Sequence, residues 1–156
     1  METIQMDFDP SEVSYEELLK IFFYNHSPEY NIAVRQYASA VFYHDEVQRQ
    51  QAEAALQREE AAQGCELYTQ ILPYEKLYLA ENYHQKYYQQ MIDLLKNDLR
   101  KNYASFRELV DSTAAARINS YVKGQGSLKQ LMQEIEDFGL SDKGRKRLIE
   151  IVDSYE

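Results

Sequence analysis

The sequence predicts an α+β fold: an incomplete two-layer α/β sandwich of order β-α-β-α-β-α, followed by a small helical appendage. Three observations predict it. Apolar residues alternate at period two in short stretches before Pro73, and helical spacings fill the gaps between them. Beyond Pro73, the last proline, the apolar spacings are helical only. The charge is also split, since residues 1–90 hold 15 acids and 6 bases whereas residues 91–156 hold 11 of each. The expected domains are therefore 1–92 and 93–156.

Each element has a local reason. Ile4, Met6 and Phe8 alternate with Gln5 and Asp7, which predicts a first strand, and Asp9-Pro10 ends it. Ser14 with Glu17 three residues on is a capping box. The helix it starts carries Tyr15, Leu18, Leu19, Phe22 and Phe23 on one face and stops at Asn25-His26-Ser27-Pro28. Residues 37–43 are uncharged and rich in β-formers, which predicts a strand buried on both faces. Asp45 caps a helix running to about Ala62, and Gly64 closes it. Glu66 to Leu72 alternates again. A helix from about Ala80 carries Tyr83, Tyr87 and Tyr88 at a spacing that predicts core and rim packing.

The appendage is predicted as three or four short helices. Ile92, Leu95 and Leu99 form one stripe. Ser112 caps Thr113–Lys123, Ser127 caps 128–138 with Gly139 as the stop, and Ser141 caps a last helix with Leu148, Ile149 and Val152 inward.

Composition narrows the chemistry. The 156 residues are 44% apolar and 13% aromatic, enough for a core, so disordered and collagen-like classes are excluded. The net charge of −9 argues against nucleic-acid binding, which needs a basic face. No uncharged apolar run approaches ~18 residues, so no membrane span is expected. Met1-Glu2-Thr3 does not begin a secretory signal. A single cysteine, Cys65, excludes an internal disulfide and suits a reducing, cytoplasmic setting, and three separated histidines predict no metal site. The basic cluster Lys143, Arg145, Lys146 and Arg147 is read as a solvated face, with a partner's acids as the alternative.

Several stretches carry a family resemblance in order. They are Phe8-Asp9-Pro10, Val13 to Leu19, Phe22-Phe23, Asn25-His26-Ser27-Pro28, Gln36 to His44, and Tyr78 to Tyr88. Together the segment from residue 2 to about 90 resembles the C-terminal part of the peptide methionine sulfoxide reductase A family. A weaker match around Asp111 to Arg117 looks like an extension carried by some relatives.

The resemblance implies an oxidoreductase of protein repair under oxidative stress. Its substrate is the S epimer of methionine sulfoxide, free or in proteins. A cysteine thiolate attacks the sulfoxide sulfur while a carboxylic acid protonates the oxygen and tyrosine hydroxyls steady it. Methionine leaves and the resulting sulfenic acid is reduced by a thiol. By resemblance Glu2 is the general acid and Tyr37 binds the substrate oxygen. A reductant of the thioredoxin or dithiothreitol type is implied, with no bound cofactor.

The departures shape the expectation. Ile32 stands where the family usually has an aspartate, Val34 where it has a glycine, and Ala38 where it has an arginine. The family's Gly-Cys-Phe-Trp nucleophile segment lies upstream of the glutamate, and these residues contain neither that segment nor any tryptophan. The chain is therefore expected to be a truncated member, a pseudoenzyme inactive alone, because no acid replaces a thiolate. Cys65 follows Gly64 in a turn beside Glu60 and Glu66, a setting that disfavours a thiolate nucleophile. The alternative function is a non-catalytic module binding methionine, its sulfoxide or a protein.

Overall fold

Side-chain caps start most of the helices. In the computed structural model, which describes residues 1–156, Ser14 opens α1 (Tyr15–Tyr24) with the expected reciprocal box. The Ser14 hydroxyl accepts from the Glu17 amide at 3.2 Å, and the Ser14 amide donates to the Glu17 carboxylate at 2.8 Å. Asp45 caps α2 (Glu46–Gln63) through the Gln48 amide, and Gly64 closes it in the left-handed region at φ 70°. Each such cap contributes about 1 kcal/mol.

The chain divides into two compact units, Met1–Tyr78 and Leu79–Glu156. The first holds a two-stranded parallel sheet, β1 (Ala40–Tyr43) beside β2 (Gln70–Pro73), with Val41 opposite Ile71. The chain crosses from one strand to the other through α2. Leu19 and Phe23 of α1, Ala52 and Ala55 of α2, and Leu67 form its buried cluster, and Val41 and Ile71 pack against them. The helices thus form one layer and the sheet the other, as an α+β fold requires.

Three expected features of this unit are corrected. Residues 4–8 form no strand, and Ile4 and Met6 stand 81% and 53% exposed. Alternation alone does not make a strand when no neighbour supplies the ladder. The strand expected over 37–43 begins at Ala40 and is half-buried, because the sheet has two strands and residues 35–37 turn as a 3₁₀ helix instead. The third strand shortens to Gln70–Pro73.

The second unit is helical: α3 (Tyr87–Gln90), α4 (Asp93–Asn102), α5 (Phe106–Asp111), α6 (Thr113–Val122), α7 (Leu128–Glu134) and α8 (Asp142–Asp153). Residues Ile135–Phe138 tighten to a 3₁₀ turn before Gly139, at φ 67°. Its core is larger and is centred on Leu95, Leu99, Leu109, Ile118, Leu131 and Leu148, all essentially inaccessible. Tyr87–Gln90 packs on α6 and α4, so this stretch belongs with the helices although composition places a boundary at 92.

The tyrosine helix is also corrected. Only Tyr87–Gln90 is helical, because Lys86 takes a left-handed φ of 49° and interrupts the run. Tyr83, Tyr87 and Tyr88 are 63%, 48% and 37% exposed, and Gln89 turns inward in their place. No helix is long and apolar enough to cross a membrane.

Polar groups tie the helical unit together. The nearly buried Asp98 carboxylate accepts from the Ser141 amide at 3.1 Å and its hydroxyl at 2.5 Å, with the Lys101 ammonium 3.4 Å away. Burial pushes the Asp98 carboxyl up, but Ser141 and Lys101 outweigh it and hold the group below its ordinary range. Gly144 in α8 makes room for it, since a Cβ there would lie 2.4 Å from Asp98 Oδ2. In the basic cluster, Arg145 pairs with Glu136 and Asp142, and Arg147 with Glu150.

Candidate functional site

Of the two residues singled out by resemblance, Glu2 is hydrogen-bonded to Gln36, the neighbour of Tyr37 in a turn of the first unit. Residues 1–9 run without regular structure until Asp9 takes the amide and hydroxyl of Ser11 at 2.8 and 2.7 Å. Those bonds, the hydroxyl first, hold the Asp9 carboxyl below its ordinary range. They form an Asx turn that leads the chain into α1.

Upstream of that turn the chain is tied to residues 35–37. The Glu2 amide donates to the Gln36 carbonyl at 2.9 Å. The Gln36 side-chain amide donates back to Glu2 Oε1 at 2.8 Å. The carbonyl in the first bond belongs to the peptide that joins Gln36 to Tyr37. The Tyr37 amide at the other end of that peptide donates to the Val34 carbonyl at 3.0 Å, the bond that closes the 3₁₀ turn Arg35–Tyr37. Glu2 is therefore pinned to the backbone that carries Tyr37.

The surroundings of Tyr37 differ from the strand expected over 37–43, and Glu2 lies in the open. Glu2 is exposed, and Tyr37 is 55% exposed on the turn rather than packed in a strand. Both can reach an external ligand. Gln36 was not anticipated as a site residue. Its sequence signal was its place beside Tyr37 in the Gln36–His44 stretch.

The single thiol lies elsewhere in the unit. Cys65 is exposed in the turn between α2 and β2, directly after the left-handed Gly64. Glu60 spans the same turn, accepting from the Leu67 amide at 3.1 Å. The side-chain partner of Glu2 is Gln36, not this thiol. No three His, Cys, Asp or Glu side chains gather in a way that could hold a metal ion.

His26 is a polar cross-brace. Its Nδ1 lies 2.7 Å from the Phe22 carbonyl and its Nε2 2.8 Å from the Ser39 hydroxyl, which lies 2.8 Å from the Thr69 hydroxyl. A carbonyl only accepts, so Nδ1 carries the proton in the neutral ring and Ser39 donates to Nε2. The relay joins the end of α1 to the entries of both strands, and so fixes the sheet that follows the Tyr37 turn.

Comparison with known proteins bears on the family of the chain. A family model described as peptide methionine sulfoxide reductase matches residues 1–114. A peptide methionine sulfoxide reductase of Drosophila melanogaster is 38% identical over 149 residues, 93% of this chain and 58% of that protein. That match takes in the helical unit. Peptide methionine sulfoxide reductase MsrA of Sulfolobus acidocaldarius is 36% identical over 115 residues, 70% of this chain and 60% of its own length. The corresponding protein of Saccharolobus solfataricus is 39% identical over 92 residues, 56% of this chain and 52% of its own. The chain spans between 52% and 60% of the length of these relatives. With nearly three quarters of its residues inside the family model, the chain belongs to the peptide methionine sulfoxide reductase family.

Proposed function

We propose that these residues supply the proton-donating and oxygen-binding side of a peptide-methionine (S)-S-oxide reductase site, and that the 156-residue chain does not turn over by itself. The observation that carries the reading is the pair of hydrogen bonds setting Glu2 beside the Tyr37 turn. Glu2 is the general acid, and the Tyr37 hydroxyl donates to the sulfoxide oxygen. A sulfoxide sulfur is a poor electrophile until its oxygen takes a proton.

The balanced reaction needs a thiolate as well. A cysteine thiolate forms a bond to the sulfoxide sulfur, Glu2 gives its proton to the oxygen, and the sulfur–oxygen bond breaks as that oxygen passes to cysteine. Methionine leaves and cysteine is left as sulfenic acid. Two thiol groups, supplied by one dithiol of the thioredoxin or dithiothreitol type, return it to thiol with release of water and formation of the reductant's disulfide. Within these residues the only sulfhydryl is Cys65, which is not hydrogen-bonded to Glu2. Without a nucleophile among the groups at this turn, Glu2 and Tyr37 bind methionine sulfoxide, free or in a protein, without reducing it. This sulfoxide-binding reading shares the same site. A reducing, cytoplasmic setting suits the one exposed thiol.

The test is an assay of the chain with N-acetylmethionine (S)-sulfoxide and dithiothreitol. The expected result is no turnover above the uncatalysed background. Turnover comparable to a full-length relative, abolished by Cys65→Ser, would overturn the reading and make Cys65 the nucleophile.

A further inference from the structure

We propose that Gln36 is the positioning residue of this site, selecting which oxygen of Glu2 carries the transferable proton; this rests on the reading of Glu2 as proton donor. One residue makes both bonds. Its carbonyl takes the Glu2 main chain at 2.9 Å and its side-chain amide takes Glu2 Oε1 at 2.8 Å.

Two consequences follow from the geometry. The first concerns the main chain. The peptide between Gln36 and Tyr37 is planar, and it is bonded at both ends, by Glu2 at its oxygen and by Val34 at its nitrogen. The Glu2 amide is then held to the same planar peptide that carries the Tyr37 amide, which restrains the exposed Glu2 segment from moving away from the tyrosine's backbone.

The second concerns the carboxyl. The Gln36 amide is a donor, so the oxygen it touches acts as acceptor. In the neutral acid, Oε1 is then the carbonyl oxygen and the proton resides on Oε2, free of Gln36. On this proposal the sulfoxide oxygen accepts its proton from that Oε2. A carboxyl without this donor would place its proton on either oxygen and rotate freely, and only part of its population would present the acid correctly.

The test is a titration of the isotopically labelled 156-residue chain with N-acetylmethionine sulfoxide, followed by NMR. The unsubstituted chain should bind more tightly as pH is lowered, because only the neutral acid donates. Gln36→Leu should weaken binding about fivefold and flatten that pH dependence, with an unchanged melting temperature, because Gln36 is exposed. Gln36→Glu, which keeps the shape but replaces the donor by an acceptor, should do at least as much. Gln36→Lys should not recover the affinity, because its cation beside Glu2 favours the ionised carboxylate, which does not donate. A Gln36→Leu chain that binds with the original affinity and pH profile overturns the inference. In the free chain Glu2→Ala should shift the Gln36 side-chain NH₂ resonances, because their hydrogen-bond acceptor is lost. Resonances that ignore Glu2 overturn the clamp even where sulfoxide binds. Absence of sulfoxide binding beside an intact clamp instead overturns the reading of Glu2 and Tyr37, and with it the catalytic meaning of Gln36.

Discussion

Residues 1–78 carry 14 acids against 5 bases and bury five apolar side chains in one cluster, whereas residues 79–156 carry 12 of each and bury thirteen. The two units have equal length. The first therefore holds all of the chain's net charge on a thin core, and net charge of one sign disfavours the compact state. The second is neutral and well packed. The candidate site lies in the lean unit, on an irregular segment and a 3₁₀ turn. That agrees with the general finding that groups which must meet a ligand are drawn from regions of low local stability. The helical unit owes its order to burial and to polar ties such as Asp98–Ser141 and Arg117–Glu134–Tyr121.

The difference can be broken most sharply at Leu148, which is fully inaccessible in α8. Leu148→Ala should cost about 2–5 kcal/mol in urea unfolding of the helical unit. A loss well under about 1 kcal/mol would mean that its core is as loose as that of the first unit.

A smaller effect is expected at Gly144. Alanine in a helix is ordinarily favoured over glycine by about 1 kcal/mol. Here its Cβ would meet Asp98 Oδ2 at 2.4 Å and Leu140 Cβ at 3.3 Å. Gly144→Ala should therefore lower stability by about 1–3 kcal/mol. A higher melting temperature would show that the Asp98 carboxylate moves aside without loss.

Acid should separate the units more gently. Glu134, like Asp98, is pushed up by burial and held low overall by its partners, here Arg117 and Tyr121. A carboxyl whose folded pKa is depressed stabilises the fold above its unfolded pKa. That contribution is lost as pH falls through the folded value. The helical unit should thus weaken below the ordinary carboxylate range near pH ~4, and Asp98→Asn should flatten the slope. The first unit's depressed carboxyls, Asp9, Glu17 and Glu46, are exposed caps and surface pairs, where solvent screens the effect. Parallel acid transitions followed separately in each unit would erase this distinction.

What could be read from the sequence was local. Ser14 with Glu17, Asp45, Gly64, Ser112, Ser127 and Ser141 each mark a helix end, and each caps one in the structure. A cap depends on neighbours three residues away, so no tertiary knowledge is needed. Ser105 with Glu108 carries the same signal for α5, which the apolar spacings alone pass over. What failed depended on distant partners. Ile4, Met6 and Phe8 alternate, yet they have no strand to pair with, and the segment bonds to Gln36 instead. The tyrosines before α3 hold helical spacing, but the left-handed Lys86 turns the chain, and Gln89 takes the interior. At the site, resemblance could name Glu2 and Tyr37. Gln36 emerged only from a contact spanning 34 positions.

The central claim is that the ligand site lies at the Glu2–Gln36–Tyr37 turn of the charged, thinly packed unit. The most direct measurement is an amide chemical-shift map of the labelled chain as N-acetylmethionine sulfoxide is added. The account predicts saturable shifts at Glu2, Gln36 and Tyr37 and quiet helices beyond residue 79. Shifts concentrated instead at the second unit's cleft of about 300 Å³, around Arg100, Tyr103 and Phe106, would contradict it.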